Sequence, residues 1–275
     1  MPQDQASAAP SQDLLVDLED GVLTLTFNRP EARNALTPDM LTGIGDALRD
    51  AELNPEVGCV VLTGSGAAFC AGGDVKAMAA GHASGKPIDP IVRMETQKIT
   101  HRNTSLRLYE MSIPTIASIP GPAAGAGLSM ALACDMRIAA DSAVMTTAFS
   151  KIGLSGDYGG TYLLTQLVGT AKARELYLLA DRIDMGEAHR LGIVNWVVPA
   201  ADLQAETKKL AKRIAAGPRL AHRMIKDNMN KALNLTFAQC LDNESHNLAQ
   251  LRDTEDHKEA AAAFADKRAP VFKGR

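Results

Sequence analysis

The chain has 275 residues, 46% hydrophobic and 22% charged, enough apolar material to bury a sizeable core without disulfide staples. A formal net charge of -3 and a pI near 6.1, with no run of Lys and Arg, remove the electrostatic case for a nucleic-acid partner. No apolar run approaches the length of a bilayer span, and Cys59, Cys70, Cys134 and Cys240 lie too far apart for a CxxC pair or a zinc site, which points to reduced thiols and a cytoplasmic protein.

Residues 1–12, MPQDQASAAPSQ, have neither a basic start nor an apolar stretch and read as a loose tail. DLLVDLE (13–19) and GVLTLTFN (21–28) flank an Asp20-Gly21 turn and read as a hairpin. A helix comes next, capped by Thr37, opened by Pro38 and striped by Met40, Leu41, Ile44 and Leu48. GCVVLTGSG (58–66) reads as a buried strand. After it lie a helix from about Asp89 to Met111, a strand PTIASIPG (114–121), a helix from about Ala126 to Asp135, and a strand MRIAA (136–140). This alternation predicts an α/β core over 13–200. From Ala201 onward only helical spacing remains, broken at Gly217-Pro218, so residues 201–275 form a helical region.

Chemistry has two candidate loops and one candidate acid. LTGSGAAFCAGGDVKAM (62–78) and SIPGPAAGAGLSMALACD (118–135) both join a strand to a helix through small residues, leaving backbone amides open to a negatively charged group. Neither fits GxxxxGK[ST], and GPAAGAG only loosely echoes a dinucleotide fingerprint, so a phosphate cradle is disfavoured. On residues alone both are equally readable as tight turns. In GLSGDYGGT (153–161), Asp157 stands among Gly156, Gly159 and Gly160, and by the same measure it is a turn residue. The six histidines form no HExxH or other metal pair.

NRPEARNAL (28–36), AFCAGGDV (68–75), PTIASIPGPAAGAGLSMALACDMRIA (114–139), FSKIGLSGDYGGTYLLTQLVG (149–169) and AFADKRAPVF (263–272) change that balance. In order and spacing this set resembles the enoyl-CoA hydratase/isomerase, or crotonase, superfamily from about Leu14 to Phe272. The resemblance implies an α/β spiral of ββα turns followed by helices that build a trimer, often a dimer of trimers. It also implies a coenzyme A thioester as substrate, with no metal or redox cofactor. By match of motif the backbone N–H groups of Gly73 and Ala126 form an oxyanion hole, and Ala32, Ala71, Asp74 and Val75 line the coenzyme A or substrate site. Phe264 and Lys267 match tail residues that touch coenzyme A in relatives, often across a subunit interface.

Two glutamates orient water in the hydratases of this family; their positions are Ser129 and Phe149 or its neighbour here, so both are missing. Asp157 falls where the isomerases carry their catalytic carboxylate, and a single acid suffices to move a proton between carbons of an enolate. The expectation is therefore an isomerase with Asp157 as shuttle and Ser129, Phe149 and Tyr158 around the acyl group. The alternatives are a hydratase in which Asp157 alone activates water, and a homologue that binds without catalysis. An aryl-CoA dehalogenase would use the aspartate as nucleophile beside a histidine just before the strand near Pro114. His101 reads as too early for that and as solvent-exposed. The stretch from Met78 to Glu95 is expected to cover the acyl pocket.

Overall fold

The computed structural model describes residues 13–83 and 89–275; the expected tail 1–12 and residues 84–88 of the stretch expected to cover the acyl pocket lie outside them. β1 (Leu14–Glu19) and β2 (Val22–Phe27) pair antiparallel, with Leu14 opposite Phe27 and Glu19 opposite Val22. Asp20 and Gly21 between them both take positive φ, 52° and 75°, the backbone that matches the twist of a two-residue hairpin. α1 (Pro38–Leu53) starts where expected: the Thr37 hydroxyl accepts the Met40 N–H at 3.2 Å, and Met40, Ile44 and Leu48 are fully buried.

β3 (Cys59–Gly64) returns parallel to β2. α2 (Val75–Ala83), α3 (Pro90–His101), a wide π turn (Arg102–Leu106) and α4 (Arg107–Glu110) then cross over to β4 (Thr115–Ile119), parallel to β3. β5 (Ala123–Ala124) and α5 (Ala126–Ala133) lead to β6 (Met136–Ala140), parallel to β4. After β7 (Val144–Thr146) come α6 (Gly160–Leu179), β8 (Ile183–Asp184), α7 (Met185–Arg190) and β9 (Trp196–Val198). The main sheet runs β1-β2-β3-β4-β6-β9, and β5-β7-β8 form a small second sheet. Four helices close the chain: α8 (Leu203–Ala215), α9 (Arg219–Ala232), α10 (Phe237–Leu251) and α11 (Glu255–Ala265).

From β2 onward every neighbour in the main sheet is parallel, so the connections leaving β3 and β4 emerge at the same sheet edge. Parallel sheets present ligands with that carboxyl-terminal edge. Both glycine-rich loops stand there because the topology puts consecutive crossovers side by side.

Two buried cations tie helices to this core. The Arg137 guanidinium donates to the carbonyls of Cys134 (2.6 Å) and Ile193 (2.5 Å), closing the carboxyl end of α5 against the segment after α7. Lys226 of α9 sends its ammonium to Asp135 Oδ2 at 2.9 Å and to the Leu108 carbonyl at 3.1 Å. Asp135 also accepts the N–H and hydroxyl of Thr115. Lys226→Met is expected to strand the carboxylate and lower unfolding stability by about 3 kcal/mol, read as a reduced urea midpoint.

Candidate active site

The first loop is cross-braced by the segment after β2. Leu36 N–H donates to the Gly72 carbonyl and Ala71 N–H to the Arg33 carbonyl, each at 2.9 Å. Asn34, fully buried with φ 57°, accepts the Arg29 N–H and donates to the carbonyls of Ser65 (2.9 Å) and Ala68 (2.8 Å). Asp74 is held at the start of α2: its carboxylate accepts the Ala77 N–H at 3.0 Å and faces the Arg29 guanidinium at 3.3 Å. The Ala77 hydrogen bond, seconded by Arg29, holds that carboxyl below its ordinary pKa. Its contacts are thus those of a loop clamp. Ala32 is half-buried, and Ala71 and Val75 are exposed along the same loop.

The second loop lies directly against the first. Ala124 N–H donates to the Cys70 carbonyl at 2.9 Å. Gly72 has φ +88°, and a methyl group there would lie 2.8 Å from the Ala124 carbonyl oxygen and 3.2 Å from the Ala126 nitrogen, so only glycine allows the two backbones to approach. Gly125 (φ 51°) turns the chain into α5, whose first residue is Ala126. Among the described residues, neither the Gly73 nor the Ala126 N–H donates to a protein acceptor; for Ala126 this is the usual state of a first-turn amide. Beside them, burial pushes the Cys70 thiol up to about 12, which leaves it a protonated donor to the Asn34 carbonyl and not a nucleophile.

Asp157 stands between Gly156 (φ 138°) and Tyr158 (φ 52°), in a turn that closes onto α5: Gly160 backs onto the Ser129 hydroxyl and the Tyr177 phenol. Its side chain is 24% exposed, half-buried between the turn and α3. Oδ1 accepts the Tyr158 N–H at 2.9 Å, and the Gln97 amide nitrogen lies 3.2 Å from both carboxylate oxygens. His101 Nε2 is 2.6 Å from Oδ1, a close contact set off the line of an aligned hydrogen bond. The Tyr158 ring covers the imidazole at a centroid distance of 4.4 Å. Burial first, then the Asp157 carboxylate, push the Tyr158 phenol above its ordinary value.

His101 corrects the sequence reading on both counts. Its side chain is 27% exposed, and it reaches the acid despite lying well before Pro114. Gln97, one helical turn earlier, went unnoticed for the same reason: helix spacing places 97 and 101 on one face, but nothing in the sequence says what that face meets. The π turn that begins after His101 is anchored by buried Thr104 and Ser105, whose hydroxyls donate back to the Thr100 (2.7 Å) and His101 (3.3 Å) carbonyls.

The remaining candidates divide. Ser129, 1% exposed, gives its hydroxyl to the Gly125 carbonyl and is sealed beneath Gly160, so it is a packing residue and not a lining of the acyl pocket. Phe149 is buried and stacks on Tyr177 at 6.2 Å. Tyr158 does border open space: a cavity of about 530 Å³ is lined by His101, Arg102, Leu106, Tyr109, Tyr158 and Tyr162 among others. Phe264 is 88% exposed on α11 and Lys267 is exposed just beyond it; no contact among the described residues joins either to the two loops of the same chain. A separate apolar groove of about 510 Å³ between α6 and α9 is lined by none of Asp157, Gly73 and Ala126.

The sequence profile of the enoyl-CoA hydratase/isomerase family matches residues 17–275. The chain belongs to the enoyl-CoA hydratase/isomerase family. Among its relatives are a probable enoyl-CoA hydratase of Mycobacterium leprae, 36% identical over 95% of this chain and 98% of the relative, and the 1,2-epoxyphenylacetyl-CoA isomerase of Escherichia coli, 34% identical over 95% and 98%. A 4-chlorobenzoyl coenzyme A dehalogenase of Arthrobacter is 32% identical over 92% and 90%. The crystal structure of a putative enoyl-CoA hydratase from Streptomyces coelicolor superposes with a TM-score of 0.90 at 34% identity, covering 100% of both chains. The α/β fold is therefore the crotonase fold, and the chain is an enzyme of this family. No helix among the described residues is long and apolar enough to cross a membrane.

Proposed function

We propose that this enoyl-CoA hydratase/isomerase family member shifts a double bond in an acyl-CoA thioester, with Asp157 as the proton shuttle. The observation that carries this reading is a single carboxylate, Asp157, oriented by Gln97 and Tyr158 donors, while Ser129 is closed off and Phe149 offers no second acid. The thioester oxygen is assigned to the N–H groups of Gly73 and Ala126, which have no protein acceptor among the described residues. Preorganised donors of this kind contribute about 3 kcal/mol each to an oxyanionic transition state. Asp157 takes the proton made acidic by that polarisation and returns it to a different carbon. The scheme needs no metal or redox cofactor.

Hydration wants two groups, one to activate water and one to protonate the α-carbon, and the two positions that carry glutamates in the hydratases hold Ser129 and Phe149 here. Incubating the protein with trans-3-hexenoyl-CoA and with trans-2-hexenoyl-CoA tests the order. Interconversion of the two is expected; rapid water addition to the 2-enoyl-CoA without interconversion would reverse it.

The 2.6 Å contact between His101 and Asp157 favours one second reading, hydrolytic dehalogenation of an aryl-CoA. There an Asp157 oxygen bonds to the ring carbon, halide leaves with the electron pair, and water deprotonated by His101 cleaves the resulting ester. A mass increase on Asp157 with 4-chlorobenzoyl-CoA would establish it.

For assembly, we propose a homotrimer or dimer of trimers in which Phe264 and Lys267 meet the coenzyme A of a neighbouring copy. Support comes from Phe264, 88% exposed, and from Ile225, Met229, Leu233 and Leu241, exposed on α9, just after it and on α10.

A further inference from the structure

The carboxylate of Asp157 is loaded unevenly. Oδ1 receives the Tyr158 N–H at 2.9 Å and the Gln97 amide at 3.2 Å, and has His101 Nε2 at 2.6 Å. Among the described residues, Oδ2 receives the Gln97 amide alone, also at 3.2 Å. A donor equidistant from both oxygens lies on the bisector of the carboxylate and fixes its in-plane rotation. Two donors and the close imidazole edge on one oxygen stabilise negative charge there and crowd its lone pairs, leaving the other as the more available base.

We propose that Gln97 is a positioning residue for Asp157 and that Oδ2 is the oxygen that exchanges the proton with substrate. This rests on the proton-shuttle reading. The substrate C–H bond breaks, its electron pair passes into the enolate, and the proton bonds to Oδ2. That O–H bond then breaks as the proton is delivered to the second carbon, and the carboxylate is restored. Gln97 touches no reacting atom; it sets the plane in which Oδ2 presents its lone pair. The geometry is built by α3, whose one-turn spacing sends Gln97 and His101 to the same acid from the same side.

Other titratable groups near the acid are His101 from α3, Tyr158 from its own turn and Tyr177 from α6, while Lys98, Arg102, Tyr109, Glu110 and Tyr162 line the cavity that His101 and Tyr158 border. All remain in a Gln97 variant, so a change in pH response reports the lost amide. The test is kcat and KM against pH with trans-3-hexenoyl-CoA for the wild type, Gln97→Leu, Gln97→Glu and Asp157→Asn. For Gln97→Leu the expected result is a kcat reduced about tenfold, the loss of one hydrogen bond to a charged group, with KM within about twofold and Tm unchanged. The acid limb of the profile should move to higher pH, because the ionised carboxylate loses a donor, and further still in Gln97→Glu, which adds a like charge. A Gln97→Leu enzyme with wild-type kcat and acid limb beside an inactive Asp157→Asn overturns the role of Gln97 alone. A lowered kcat with an unmoved limb would also overturn it, since that is the mark of a merely structural contact. Undiminished turnover by Asp157→Asn overturns the shuttle and the positioning role together.

Discussion

Asp157→Asn is expected to lower double-bond migration by about 10²- to 10⁴-fold, the span over which a positioned general acid–base group acts. The replacement is nearly isosteric, and its retained carbonyl oxygen can accept the Tyr158 N–H as Oδ1 does now. Gln97 meets the new amide by rotating its own, so that an oxygen and not a nitrogen faces the introduced NH₂ group. Fold stability should therefore barely move, and equal Tm values for the two proteins separate lost chemistry from lost structure. Binding of the substrate depends on contacts elsewhere, so KM is expected to hold while kcat falls. A variant that migrates the double bond at the wild-type rate would remove Asp157 from the mechanism.

Ala126→Pro is expected to cost about 10²- to 10³-fold in kcat for the same substrate, as loss of one oxyanion donor does. Ala126 is the first residue of α5, a position where proline is tolerated because its missing N–H would have no helical partner. The helix thus survives while the donor disappears. The added ring carbons also enter the gap against Gly72, where even a methyl on that glycine would lie 3.2 Å from the Ala126 nitrogen. The comparison that isolates the donor is Ala126→Ser, which keeps the N–H and should retain most activity. Equal turnover by Ala126→Pro and wild type would show that the thioester oxygen lies elsewhere.

The parts of the fold that arise from one dominant local force were legible in the sequence. β3 and β4 announce themselves as short, continuous apolar runs, because a parallel strand is covered on both faces. α1 was readable from Thr37, Pro38 and its stripe. β5, β7 and β8 were not, since strands of two or three residues are too short to show any period and are held by the sheet they join. α2 likewise left no mark: VKAMAAGHA has no pronounced apolar face. In the site, the loops were visible because close backbone approach demands small residues, as at Gly72. The surroundings of Asp157 were hidden because Gln97 lies 60 positions away, and only the packing of α3 against the turn brings the two together. Ser129 misled for the converse reason: its position in the motif said nothing about Gly160 closing over it.

The wide turn at Arg102–Leu106 makes the composition of this site depend on a count of residues. Each α-helical residue advances the azimuth by about 100°, so an extra residue absorbed in one turn rotates everything upstream by that angle relative to the downstream helix. With Thr104 and Ser105 pinned in the interior, the azimuth of residues 97 and 101 is dictated by insertion and not by side-chain attraction. A homologue with an uninterrupted helix there would aim the same two side chains about a quarter-turn away, and identical residues would then furnish a different site.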